Sequence, residues 1–263
     1  MLVSRRSVLL GAAGLLAGCG AAPSAPGPRA AVSHASGSFA SEALRTTVRW
    51  RVAAPAGHDL EGLPVVLALH GRGGSARTAF SSLHLDELLA GAGGIVALAS
   101  VDGGDHSYYH RRADGTDAGA MIAGELLPVL AGRGLDTGRL GLYGWSMGGY
   151  GALLLTGQQR LRPRAVAVSS PALFTSAGST PAGAYDDAAD FARNDVYDRP
   201  ERLAGVPVRL DCGTGDPFYA ATRDFAARLP GATSSFRRGG HDATYWRRAA
   251  PAALAFLAGR LAN

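Results

Sequence analysis

The chain is patterned in alternating blocks of two kinds. Continuous apolar runs at Pro64–Leu69, Gly94–Ser100, Leu140–Trp145, Ala165–Ser169 and Val206–Cys212 predict strands buried on both faces. Leu44–Ala53 alternates instead, as an early antiparallel strand with one wet face would, and Ser234–Arg237 fits a short final strand. Between these runs lie helical segments: from a cap at Ser75 to about Leu89, then Asp117–Leu130, Gly148–Leu155, Phe218–Leu229 and Ala243–Leu261, with a kink expected at Pro251. Strands alternating with helices predict an α/β fold, a mostly parallel sheet with helices on both faces. Ligand chemistry in such sheets gathers at the carboxyl ends of the strands. The irregular stretch from Pro171 to Pro200 is the one insertion of any size, and it is too short for a large lid.

One stretch carries a chemical signature. Gly144-Trp-Ser-Met-Gly148 is a G-x-S-x-G pattern between a predicted strand and a predicted helix. A sharp strand-to-helix turn strains the serine, and flanking glycines let neighbouring segments approach it. The same turn aims the N–H of Met147 and the helix N-terminus at the place where an oxyanion would form. A serine hydroxyl needs a base, and the base needs a carboxylate to hold its tautomer. His241, in Arg238-Gly-Gly-His-Asp242 between the last strand and last helix, is the candidate base. Leu210-Asp-Cys-Gly-Thr-Gly-Asp-Pro-Phe218 offers two acids. Asp216, past the strand end, is preferred over Asp211, within it, although Asp216 could also cap the helix after Pro217. Asp242 is expected to cap the terminal helix. The order Ser146, Asp216, His241 is that of the α/β-hydrolase fold. The second oxyanion donor is expected from His70-Gly-Arg-Gly-Gly74, with Arg72 N–H favoured and Gly71 the alternative. His70 is expected to brace that loop through a buried hydrogen bond.

The N-terminus predicts where this chemistry is done. Arg5-Arg6 precedes an apolar run, Val8–Ala17, that is too short to span a bilayer and ends in Leu16-Ala-Gly-Cys19. Residues 1–18 therefore read as an export signal. The paired arginines resemble a twin-arginine signal, and Leu-Ala-Gly-Cys resembles the bacterial lipoprotein box, in which Cys19 is lipidated. The alternative is a secreted protein cut near Cys19. Residues 19–38, rich in Ala, Pro, Ser and Gly, read as a flexible tether, and 39–263 as the catalytic domain. The expected location is the outer face of the cytoplasmic membrane or cell envelope, held by the lipid. Cys212 is the sole other cysteine, so no disulfide is expected. Arg5 and Arg6 supply two of the five net positive charges, and the remainder are scattered, which argues against a nucleic-acid partner. His106 and His110, with Asp102 and Asp105, lie in a Gly/Tyr loop without a helix to set one ligand face, so no metal or other cofactor is expected.

Ordered blocks strengthen the reading. Leu69-His-Gly, Val101-Asp-Gly-Gly, Glu125-Leu-Leu-Pro, Tyr143-Gly-Trp-Ser-Met-Gly-Gly-Tyr-Gly-Ala, Gly213-Thr-Gly-Asp-Pro-Phe and Gly240-His-Asp-Ala-Thr-Tyr-Trp occur in sequence between Pro64 and Leu257. Together they resemble the esterase D group of α/β-hydrolases, which includes S-formylglutathione hydrolases, feruloyl and acetylxylan esterases, and antigen 85-type mycolyltransferases. The resemblance implies Ser146 as nucleophile, Asp216 as acid and His241 as base. Gly148-Gly149 matches the hydrolase branch, whereas mycolyltransferases usually carry small non-glycine residues there. The leader departs from the cytosolic formylglutathione hydrolases. The expected activity is hydrolysis of an acyl ester, small or carrier-bound, at a pocket open at its rim. Trp145, Tyr108, Tyr109, Phe218 and Trp246 are candidates to line it, or else to pack the core. Arg111-Arg112 and Arg237-Arg238 read as solvated charge rather than as an acid-substrate site. An acyltransferase passing the acyl group to a sugar, and a binding protein on an inactive scaffold, are the rival readings.

Overall fold

The computed structural model describes Met1 and residues 32–262. The leader motif, Cys19 and residues 20–31 of the expected tether lie outside the described residues. Among the described residues eight strands form one sheet: β1 (Ser33–Ser41), β2 (Thr46–Ala54), β3 (Pro64–Leu69), β4 (Ala97–Val101), β5 (Asp136–Trp145), β6 (Ala165–Ser169), β7 (Val208–Gly213) and β8 (Thr233–Arg237). Their order across the sheet is β1-β2-β4-β3-β5-β6-β7-β8. β2 runs antiparallel to both its neighbours, and every other adjacent pair is parallel. All residues of β3, β4 and β6 are buried, as their unbroken apolar runs require when helices cover both faces.

One face is covered by α2 (Ala118–Met121), α3 (Leu127–Ala131), α4 (Met147–Gly157) and α6 (Tyr219–Arg228), whose Met121, Leu130, Leu153 and Phe225 share a core with Leu67, Leu142 and Val168. The other face carries α1 (Thr78–Ser81) and α7 (Ala243–Leu261), where Ala79, Leu254 and Leu257 pack on Val66, Ala68 and Ala167. The remaining helix, α5 (Ala188–Asn194), belongs to the insertion. Among the described residues no helix is long and apolar enough to cross a membrane. The architecture is that of an α/β-hydrolase.

Three expectations need correcting. The expected tether runs through residue 38, but Ser33–Ser41 is an edge strand paired along its whole length with β2. Its small residues carry no apolar signal; backbone hydrogen bonds, with Ala35 and Phe39 against the core, hold it. The helix from Ser75 to Leu89 is two short pieces, α1 and a 3₁₀ helix Asp86–Gly91, because His84 takes a left-handed backbone (φ 50°) and ends the helical path. Ser75 does not cap it as an N-cap; that position is Arg77. Asp117 does cap its helix, accepting the Ala120 N–H at 2.9 Å, but 118–131 is interrupted by a π turn, Ile122–Leu126, just before Pro128. Proline has no N–H to continue the ordinary ladder. Helix α7 runs through Pro251 as one element.

Candidate active site

Strand β5 delivers Ser146 into a sharp turn. Its backbone sits at φ 54°, ψ −123°, a region that costs a non-glycine residue about 1–3 kcal/mol. Three contacts hold it there: Ser146 N–H donates to Ser169 C=O (3.1 Å), and Ser146 C=O accepts from Tyr150 (3.0 Å) and Ala172 (3.0 Å). Glycine is demanded beside it. A Cβ on Gly144 would strike the Gly148 carbonyl, and one on Gly148 would strike that of Leu69. Helix α4 thus sits directly on the end of β3.

Loops after β7 and β8 bring the other two residues to the same edge. Ser146 Oγ lies 2.8 Å from His241 Nε2, and His241 Nδ1 lies 2.8 Å from Asp216 Oδ2. Since a carboxylate only accepts, Nδ1 carries the proton and Nε2 is left to accept from the serine hydroxyl. The Asp216 side chain is fully buried, whereas His241 retains 24% of its exposure. Burial pushes the Asp216 carboxyl up, but the His241 ring, Ser170 and the Phe218 N–H (2.8 Å) together outweigh it and hold its pKa below the usual value. The Phe218 contact also ties Asp216 to the turn that opens α6, so positioning and turn formation fall on one side chain. Ser170, itself at φ 50° and buried, stands by that carboxylate without completing a directed hydrogen bond. No motif in the sequence marked it. The alternative acid, Asp211, is clamped by Arg209 through two 2.7 Å contacts and takes no part. Asp242 caps α7, accepting the Tyr245 N–H at 2.9 Å.

The loop after β3 is locked from behind. His70 is fully buried. Its Nδ1 lies 2.8 Å from Gly71 C=O, and Gly103 N–H donates to Nε2 at 2.8 Å. One neutral tautomer, with the proton on Nδ1, satisfies both contacts, and burial lowers the ring's pKa in the same sense. Gly71 C=O also accepts the Gly74 N–H at 3.0 Å. Among the described residues no peptide is cis, so the Arg72 N–H on that same peptide plane points away from the His70 ring. Gly71 packs so closely that a Cβ there would lie 3.2 Å from Ser146 Cβ. Among the described residues, neither Arg72 N–H nor Met147 N–H has an acceptor within the protein. Tyr109, for which pocket lining and core packing were both open, is a fully buried prop whose hydroxyl donates to His70 C=O at 3.1 Å.

Trp145 is likewise core, and Tyr108 is buried against Tyr150, Phe174 and Tyr185. Phe218 and Trp246 do adjoin the site, with ring centroids 5.3 and 5.1 Å from His241. Arg112 is not solvated charge: it pairs with Asp186 at 2.8 Å and fastens the insertion to the preceding loop. Cys212 is a buried free thiol, its pKa pushed up to about 12 by burial and by Asp216. Among the described residues no group of three or more His, Cys, Asp or Glu side chains could hold a metal.

Fold and site together define the class: an α/β-hydrolase scaffold presenting a serine, a histidine and a buried aspartate in hydrogen-bonded series. Residues 41–257 match the family described as "Putative esterase", and the chain belongs to that family. No curated protein matches it in sequence. Among solved structures it is similar to a ferulic acid esterase (20% identity, TM-score 0.74, covering 87% of this chain and 99% of the other). It is also similar to an S-formylglutathione hydrolase from Agrobacterium tumefaciens (18%, 0.73, 87% and 95%) and to Mycobacterium tuberculosis MPT51 (17%, 0.65, 84% and 96%). At these identities the likeness is one of fold.

Proposed function

We propose that the chain is a serine carboxylesterase that hydrolyses acyl esters through an acyl-enzyme on Ser146. The observation that carries this reading is the unbroken series Ser146 Oγ, His241 Nε2, His241 Nδ1, Asp216 Oδ2, with both contacts at 2.8 Å. In the first half-reaction Ser146 Oγ bonds to the ester carbonyl carbon as its proton passes to His241 Nε2. Charge gathers on the carbonyl oxygen, which the N–H groups of Met147 and Arg72, or Gly71 in place of Arg72, are placed to receive. The ester C–O bond then breaks, and the alcohol leaves with the proton from Nε2. In the second half a water gives its proton to His241, attacks the acyl carbon, and releases the acid while Ser146 recovers its proton. No step needs a cofactor.

Phe218 and Trp246 flank the imidazole, which suits an apolar acyl chain. The Gly148-Gly149 pair supports water over a sugar as the acceptor. The leader supports export and anchoring through a lipid on Cys19. Hydrolysis of nitrophenyl esters of increasing acyl length tests the reaction: turnover should be measurable in the wild type and fall by about 10⁶-fold in Ser146→Ala. Folded protein that turns over no ester, or a Ser146→Ala variant as active as the wild type, would refute it. Partition of product between water and added trehalose separates hydrolase from transferase. Retention of Cys19→Ala in the soluble rather than the membrane fraction tests the anchor.

A further inference from the structure

A concavity lies away from the Ser146 site, at the outer corner of the same sheet edge. In β2, Val48, Trp50 and Val52 are buried against one core, so Arg49 and Arg51 between them project from the opposite face. In register beside them on β1 are Ser38 and Ser36. The segment Ser75–Arg77, which follows the His70 loop, and Asp102, just after β4, wall off a cleft of about 430 Å³ over these residues.

The charges in this cleft do not cancel. Asp102 is its one carboxylate: Oδ1 accepts the Ala76 N–H at 2.8 Å, and Oδ2 meets Arg49 Nε at 3.2 Å. That contact leaves both terminal amino groups of Arg49 unengaged. Among the described residues the guanidinium groups of Arg51 and Arg77 make no hydrogen bond or ion pair. Several other arginines are matched with carboxylates, as in Arg139 with Asp136 (2.6 Å) and Arg209 with Asp211 (2.7 Å). Two positive charges therefore face one cleft uncompensated, beside serine hydroxyls that can donate or accept.

We infer that this cleft binds a phosphate monoester of a small polyol. A phosphate dianion matches the two unbalanced charges, and planar guanidinium forks pair with phosphate oxygens two at a time. A lone carboxylate would leave one charge unmet. Space beyond the phosphate, lined by Ser36 and Ser75, suits the hydroxyls of a glycerol or sugar. β2, which carries Arg49 and Arg51, is three strand spacings, roughly 14 Å, from the Ser146 strand β5, and none of Ser146, Asp216 and His241 lines the cleft. The inference is thus independent of the esterase reading. The phosphate could come from a soluble metabolite or from a lipid headgroup, and the two sources are separable.

Calorimetric titration of the full chain carrying Ser146→Ala, with glycerol 3-phosphate as the probe, tests it. Binding should weaken at least about tenfold as salt is raised from about 50 to about 500 mM, and glycerol should give no signal. Arg51→Met with Arg77→Met should lose roughly tenfold or more in affinity. In an otherwise wild-type chain that pair should leave melting and nitrophenyl acetate turnover within about twofold. Should the pair fail to fold, the exposed Arg77→Met alone carries the test. Vesicles of phosphatidylcholine with and without phosphatidic acid identify the source: capture that needs phosphatidic acid and both arginines supports a lipid headgroup, while binding of the soluble probe alone supports a metabolite. The inference is overturned if glycerol binds as tightly as its phosphate, if the arginine variants keep full affinity, or if neither probe binds.

Discussion

Removing the imidazole of His70 should disable the site without touching a reacting atom. In His70→Ala the Gly103 N–H loses its acceptor in a dry interior, which costs about 1–3 kcal/mol. The vacated ring volume beside Tyr109 adds a cavity cost, for a total of about 3–5 kcal/mol. Gly71 C=O keeps its Gly74 partner, so the loop is loosened rather than lost. Misplacing one oxyanion donor should then lower kcat by about 10²-fold, with KM for a small ester little changed. Two further variants divide the imidazole's contacts. Asn reaches Gly71 C=O from the Nδ1 position, and Gln reaches Gly103 N–H from the Nε2 position. His70→Asn should therefore keep kcat within about tenfold of wild type, and His70→Gln should fall with His70→Ala. Stability against pH gives an independent readout. Burial lowers the folded-state pKa of His70 below 6.5, so its contribution is whole above about 6.5 and is lost as pH falls toward the folded value, because the unfolded chain takes the proton first. Variants at 70 should lose that part of the acid slope. Nitrophenyl acetate kinetics and urea unfolding between pH 5 and pH 8 measure both effects. A folded His70→Ala with kcat within about threefold of wild type would refute the positioning argument.

The other predictions concern the same neighbourhood. Gly148→Ala drives a Cβ into the Leu69 carbonyl and to 2.7 Å from that of His70, so it should cost more than about 4 kcal/mol or yield no soluble protein, as expression and thermal melting will show. Asp216→Asn should keep the fold but lower kcat by about 10⁴-fold, since an amide no longer enforces the tautomer that leaves Nε2 free. The Cys212 peptide should resist iodoacetamide at pH 8 in native protein and be alkylated after denaturation, because its thiol is buried with its pKa pushed up to about 12. Rapid native alkylation would contradict the packing around β7.

What the sequence disclosed followed from how each feature is encoded. Ala165–Ser169 and Ala243–Leu261 coincide with the observed strand and helix because burial writes an apolar run into the one and a capped periodic pattern into the other. Ser146, Asp216 and His241 were legible as a set because the elbow demands glycine at 144 and 148, and the strand ends demand loops at 216 and 241. β1 left no trace, since an edge strand made mostly of Ser, Ala and Gly is held chiefly by backbone pairing, with only Ala35 and Phe39 against the core. The break at His84 was hidden because a left-handed backbone at a non-glycine residue is imposed by tertiary packing. Tyr109 stayed open between two readings for a related reason. Its aromatic ring suits a pocket or a core equally, and only the gaps left by Gly103 and Gly151 decide that it fills the core. Arg112 gave no sign that its partner, Asp186, would come from a distant insertion.

The most direct test of the account is covalent labelling with a fluorophosphonate, followed by mapping of the modified peptide. The account predicts stoichiometric labelling of native protein on Ser146 Oγ, abolished in Ser146→Ala and slowed strongly in Asp216→Asn. Folded protein that takes no label, or that takes it on another residue, would contradict it.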